Sequence, residues 1–179
     1  KRVSVGAPKS GTELNARAVV KAAGLTYDDF AKVEYLPFAE SVDLMKNQQL
    51  DATLQSAGLG VASLRDLASS IDITVIPVPA ETVSRIGEAV YRSAMIPANT
   101  YKGQDADVPT VVTGNALATH DGLPDDTAYQ MTKLMFENLE AMQSAHAAAR
   151  QIALSKDAAT EFAPLHPGAR RFYKEKGLL

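Results

Sequence analysis

The chain has no cysteine and no tryptophan among its 179 residues, and aromatic residues are only 6%. Without cysteine there is no disulfide, no thiolate metal site and no thiol nucleophile, although the compartment is left open. No uninterrupted apolar run approaches the ~20 residues that a membrane helix needs. Neither sign of charge dominates: 18 Lys and Arg face 21 Asp and Glu, a net charge of -3. That balance argues against a nucleic-acid protein, whose basic face pushes the charge the other way. Histidine is scarce. His120, His146 and His166 are scattered, without an i+4 partner or an HExxH pattern, so a metal site is not indicated. What remains is 46% hydrophobic and 22% charged, close to globular averages, which excludes disordered and collagen-like chains. The length suits one ordinary domain or parts of two.

The chain has no initiator Met and opens directly on Val3-Ser4-Val5, a strand-like alternation running at once into Gly6-Ala7-Pro8. This predicts a piece of a longer polypeptide. The first half then alternates. Strands are expected at Val3–Val5, Val33–Leu36, Asp51–Leu54 and Ile73–Ile76, the last closed by Pro77 and Pro79. Helices are expected at Thr12–Ala23 (Leu14, Ala18 and Ala22 inward, Gly24 as stop), Ala39–Gln49 (Val42, Met45 inward) and Leu59–Ser69 (Leu64, Leu67 inward). Strand-helix alternation with short loops implies an α/β layer with a largely parallel sheet.

After Tyr91–Ile96 the character changes. A turn-rich stretch (Asn99, Gly103, Asp105, Asp107) leads to one more strand-like run, Thr110–Val112. Pro124 then stands at a first-turn position before a long helical segment carrying Tyr129, Leu134, Met135, Leu139 and Met142. An Ala-rich continuation (Ala145–Ala153) and a short helix around Arg170–Lys176 complete the chain. The boundary is expected near Asp107–Thr110.

Gly6-Ala7-Pro8-Lys9-Ser10-Gly11-Thr12-Glu13 lies between the first strand and first helix, where α/β proteins hold anions on free helix N–H groups. Gly6 and Gly11 have P-loop spacing, but Thr12 stands where that motif needs its Lys, which argues against nucleotide binding. The same residues read as a capping box, Ser10 as N-cap with Glu13 three positions on, and the two readings are compatible. Gln55-Ser56-Ala57-Gly58 follows the third strand. In a parallel sheet it emerges on the same edge as the first loop, where ligands bind; it also reads as a plain turn with Gly58 supplying flexibility. Ser10 is the one serine in a promising elbow, but GxSxG is absent there. Capping explains Asp125 and Asp126.

Val5-Gly6, Ser10–Glu13, Leu50–Ala52, Gly58, Ile96-Pro97-Ala98-Asn99-Thr100-Tyr101-Lys102-Gly103, Asp107–Thr110, Thr132–Asn138 and Leu165-His166-Pro167-Gly168-Ala169 occur in one order along nearly the whole chain. In these elements the chain resembles the C-terminal part of the TAXI-type solute-binding proteins of TRAP (tripartite ATP-independent periplasmic) transporters. The IPxxTYxG and HPGA elements are the most diagnostic. Lys9, usually Gly in that family, Gly60, where Pro is common, and Gln55, often aromatic or apolar there, depart from its pattern.

The resemblance implies an α/β periplasmic binding protein of the class II type. Residues 1–108 would form one complete lobe with a mostly parallel sheet. Residues 109–179 would cross the hinge, through an extended Asp107–Val112, and supply C-terminal helices of the other lobe. The precursor would carry a signal peptide and the mature protein would be periplasmic. The implied function is non-enzymatic reception of a small organic acid or amino acid, glutamate-like, handed to membrane permease subunits, with no cofactor, metal or nucleic acid. Ser10, Gly11 and Thr12 match the family's anion-holding loop, and Gln55, Ser56, Ala57 and Gly58 its second ligand loop. His166 reads as a packing and turn-forming residue. The rival from another class is an α/β hydrolase using Ser10. If the helices after Pro124 cover a sheet outside these residues, Leu134, Met135, Leu139 and Met142 should be exposed.

Overall fold

A computed structural model describes residues 1–145, 147–155 and 163–179. His146, within the Ala-rich continuation, lies outside the described residues. The chain divides into two compact units, Lys1–Thr113 and Gly114–Leu179.

In the first unit the strands β1 (Arg2–Ser4), β2 (Lys32–Glu34) and β3 (Ala52–Thr53) form a parallel sheet in the order β2-β1-β3. Val3 sits opposite Val33 on one side and Ala52 on the other. With Val5 and the fully buried Ala16 it makes a core onto which Tyr27, Phe30 and Leu54 pack. Burying one valine side chain contributes about 1.5–3 kcal/mol, so these short strands are held by what covers them more than by their ladders. At the amino edge of the sheet Arg2 binds Asp51 through its own N–H (2.6 Å) and its guanidinium (2.8 Å), tying β1 to the start of β3.

The connections fix the layers. The helix α1 (Gly11–Ala22) links β1 to β2, and α2 (Phe38–Lys46) carries the chain back past β1 to β3. Because parallel crossovers are right-handed, two crossovers in opposite directions place α1 and α2 on opposite faces. The partners agree: α4 (Ala80–Ile86) packs on α1, and α3 (Ala62–Ser70) on α2. Buried Ser4 bonds Ser41 of α2 hydroxyl to hydroxyl at 2.7 Å.

Leu14, expected inward, is 62% exposed. Positions four apart advance by about 40° around a helix, so Leu14, Ala18 and Ala22 drift off one stripe. The face that is buried carries Thr12, Glu13, Ala16 and Ala22. Val42 and Leu67 are buried as expected, with Met45 and Leu64 half-buried. The β-branched run Ile73–Ile76 joins no ladder. Pro77 and Pro79 remove two backbone donors just beyond it, and Ile76 is 70% exposed. The unit ends in an antiparallel pair, β4 (Arg92–Ile96) with β5 (Val108–Val112), whose second strand contains the strand-like run Thr110–Val112.

In the second unit α5 (Asp125–Glu137) and α6 (Leu139–Ala145) replace the single long helix read from the sequence. Asn138 divides them: its backbone N–H and side-chain amide both donate to the Leu134 carbonyl, at 3.1 and 2.8 Å. The helix α7 (Pro167–Glu175) packs on α5. Gly168 makes this possible, since a Cβ there would stand 2.0 Å from the Asp125 carbonyl oxygen and 2.7 Å from the Tyr129 nitrogen. Phe172 fills the crossing, stacked on Phe136 at 5.7 Å and edge-on to Tyr129. His166 caps α7: Nδ1 accepts from Gly168 N–H at 3.2 Å while Nε2 meets the Leu123 carbonyl at 3.0 Å. The HPGA element therefore starts and docks a helix. Leu134 is 53% exposed, whereas Met135, Leu139 and Met142 are half-buried.

Candidate functional site

Three parallel strands give three loops at one edge, and the chain reverses its winding at β1. The loop after β1 climbs to α1 on one face, while the loop after β3 leads toward α3 on the other. The divergence of two such loops opens a crevice at the strands' carboxyl ends, which is where open α/β sheets hold ligands. The two loops singled out in the sequence, Gly6–Glu13 and Gln55–Gly58, flank this switch point. The second loop is tied to the helix that the first loop leads into: Asn15 Nδ2 of α1 donates to Ser56 Oγ at 2.8 Å.

The first loop is shaped by Gly6, at φ +95. A Cβ on Gly6 would come within 2.6 Å of Thr12 Cγ2 and 2.7 Å of Thr12 Cβ. Thr12 thus folds its methyl onto the loop. Lys9 holds the left-handed conformation (φ 58) that a glycine takes at no cost, at the position where the resembled family usually has glycine. Ser10 is the N-cap of α1, accepting from Glu13 N–H at 3.2 Å. The reciprocal half of a capping box is missing: Ser10 N–H goes to the Ala7 carbonyl, and the buried Glu13 carboxylate turns to Arg17 and the Tyr27 hydroxyl. Burial, with Glu13 beside it, pushes the Tyr27 phenol up to about 12. The loop's one carboxylate is therefore engaged inside the fold. The Gly11 and Thr12 N–H groups have no acceptor among the described residues, and the space in front of Gly11 is open.

In the second loop Ser56, Ala57 and Gly58 are exposed. Gln55 is not turned outward: its Oε1 accepts from Ser63 of α3 at 2.6 Å, and its buried Nε2 has no partner. Thr53 Oγ1, two residues earlier, is likewise buried and unpaired.

Two tyrosines absent from the expected site support it. The Tyr91 hydroxyl donates to Asn15 Oδ1 at 2.9 Å, and burial, with Glu88 nearby, raises its pKa. Buried Tyr101, from the Ile96–Gly103 element, accepts the Gly60 N–H on its phenol oxygen at 3.3 Å. Burial raises the Tyr101 pKa, against the Gly60 bond and Arg65, which lower it. The element's own loop is braced by Gln104, whose Nε2 donates to the carbonyls of Ile96, Pro97 and Ala106 and whose Oε1 accepts from Tyr101 N–H. Asp107 accepts the Ala98 N–H at 2.8 Å. Tyr101 was legible inside a quoted motif, whereas nothing in the sequence marked Asn15.

Ser10 meets no histidine among the described residues, so nothing favours the hydrolase alternative. No group of three or more His, Cys, Asp or Glu able to hold a metal occurs among the described residues. No helix there is long and apolar enough to cross a membrane.

Residues 1–177 match the NMT1-like family. The chain belongs to that family, one of periplasmic solute-binding proteins. Its mixed α/β unit with a three-stranded parallel sheet is compatible with one lobe of such a protein.

Proposed function

We propose that this member of a solute-binding family is the periplasmic receptor of a TRAP-type secondary transporter of the TAXI kind, binding a small carboxylate or glutamate-like amino acid. The ligand carboxylate lies at the β1/β3 switch point, held by Ser10, Gly11, Thr12 and Gln55–Gly58. The observation that carries this reading is the start of α1, where the Gly11 and Thr12 N–H groups are free, the carboxylate of Glu13 is already engaged, and Asn15 one turn on holds Ser56 of the second loop. Unpaired N–H groups at a helix start, with the macrodipole of α1 behind them, favour an anion. Each charge-assisted bond contributes about 1.5–3 kcal/mol.

The mechanism is capture by population shift. Residues 1–108 act as one lobe, and residues 109–179 as the hinge crossing and the helical part of a second. Contacts from both lobes exist only when they close, so a ligand that binds the closed form better shifts the population toward closure. The closed receptor is the form presented to membrane permease subunits. No bond is made or broken, and no cofactor is required.

The test is native mass spectrometry of the full-length mature protein from its expression host. A co-purified carboxylate, displaced by excess L-glutamate, is the expected result. A carried-over neutral or cationic solute would overturn the ligand class, and turnover of a bound ester abolished by Ser10→Ala would overturn the receptor reading.

A further inference from the structure

A hydroxyl can offer a ligand either its proton or its lone pairs, and what it already does for the protein decides which. Ser56 is exposed in the second loop, and its one bond among the described residues is to Asn15. Asn15 is the second-turn residue of α1 and joins two hydroxyls, Ser56 on its Nδ2 and Tyr91 on its Oδ1. An asparagine amide has a donor end and an acceptor end, so turning it over would reverse both bonds. A phenol donates far better than it accepts, which places Oδ1 toward Tyr91 and the NH2 toward Ser56. Ser56 Oγ then accepts at 2.8 Å, and its own proton is left to point elsewhere.

We propose that Tyr91 and Asn15 are positioning residues that leave the Ser56 hydroxyl free to donate, so that this side of the site favours a ligand's anionic oxygen over an ammonium group. The inference rests on the carboxylate-binding reading for its ligand, but the relay itself can be seen without one. Three segments distant in sequence, α1, the loop after β3 and the residue before β4, converge on one amide. With the opposite amide orientation Ser56 would donate to Oδ1 and show lone pairs, which suits a cation. Neither Tyr91 nor Asn15 need touch the ligand; both act through Ser56.

The experiment has two arms. In the ligand-free protein, NMR of the Asn15 side chain reports the relay: Ser56→Ala should move the Nδ2 proton resonance and Tyr91→Phe the Cγ resonance. If neither substitution moves them, the relay is wrong, whatever the protein binds. The second arm titrates L-glutamate and succinate, with ethanolamine as a cationic probe, into wild type, Ser56→Ala, Tyr91→Phe and the double variant. Ser56→Ala should weaken the carboxylates roughly tenfold or more, the loss of one charge-assisted bond. Tyr91→Phe should weaken them several-fold at an unchanged fold and have no further effect once Ser56 is alanine, a coupling that a merely structural tyrosine would not show. Additive losses, or equal losses for ethanolamine, would overturn the polarity. An intact relay in a wild type that binds no carboxylate would remove the ligand reading and leave the positioning of Ser56 standing.

Discussion

Gly6 and Gly11 lie in one loop and should respond oppositely to the same substitution. Alanine at Gly6 places a Cβ 2.6 Å from Thr12 Cγ2 and 2.7 Å from Thr12 Cβ, and it holds φ at +95. Thr12 Cβ is fixed to the first turn of α1, so it cannot swing aside as the tip of a long side chain would. Positive φ costs an L-residue about 1–2 kcal/mol, and overpacking a further 1–3 kcal/mol. Together Gly6→Ala should destabilise the Lys1–Thr113 unit by roughly 2–5 kcal/mol, or lower its Tm by roughly 8–20 °C. Gly11→Ala meets nothing within 4 Å and has no positive φ. It should leave stability unchanged or raise it by up to about 1 kcal/mol, the helix-propensity gain over glycine. It also puts a methyl into the open space in front of the free N–H groups, so carboxylate affinity should fall while the fold holds. Urea unfolding of the two variants beside wild type, followed by L-glutamate titration, measures both. Equal stability of Gly6→Ala and wild type would refute the loop geometry, and unaltered affinity of Gly11→Ala would refute its place at the ligand.

In the second unit Gly168→Ala drives a Cβ into the Asp125 carbonyl, so α5 and α7 must part; loss of the near-ultraviolet signal of the Phe136–Phe172 stack is expected, and its retention would contradict the close crossing. Gln104→Leu abolishes three donated bonds and one accepted bond inside the Ile96–Asp107 loop. It should cost about 2–4 kcal/mol and speed amide exchange at Tyr101 and Gly60. The Arg2 guanidinium and backbone N–H hold the Asp51 carboxyl well below the usual carboxylate range. Folding therefore disfavours proton uptake there, so the stabilisation is full above the unfolded pKa of about 4 and is lost as pH falls below it. Asp51→Asn should flatten the acid limb of a stability–pH curve, and an unchanged limb would show that the pair does not form.

Much of the first unit was legible because its signals are local. Alternating strands and helices, Ser10 at a helix start and glycines after strands need no knowledge of distant residues. Parallel strands all end on one edge, which is why the two loops could be placed together there, although the order β2-β1-β3 could not be read. What failed depended on partners far away. Ile73–Ile76 has strand composition but finds no ladder, and β4 pairs antiparallel with β5 across a loop whose brace, Gln104, has no sequence signature. Asn138 ends a helix by capping with its own side chain, an effect that hydrophobic spacing ignores. Gln55 reads as a loop residue facing ligand, yet Ser63 draws its amide oxygen inward. Asn15 is one polar residue on a helix and gains meaning only when Ser56 and Tyr91 arrive beside it.

The central claim is that a small carboxylate binds where the loops after β1 and β3 diverge. Backbone chemical-shift mapping of the full-length mature protein during titration with L-glutamate tests it most directly. Saturable shifts centred on Gly11, Thr12 and Ser56–Gly58 are expected, with the Gly11 and Thr12 amide protons moving downfield as they gain a charged acceptor. Saturable binding that leaves these amides unmoved, with the shifts centred elsewhere, would contradict it.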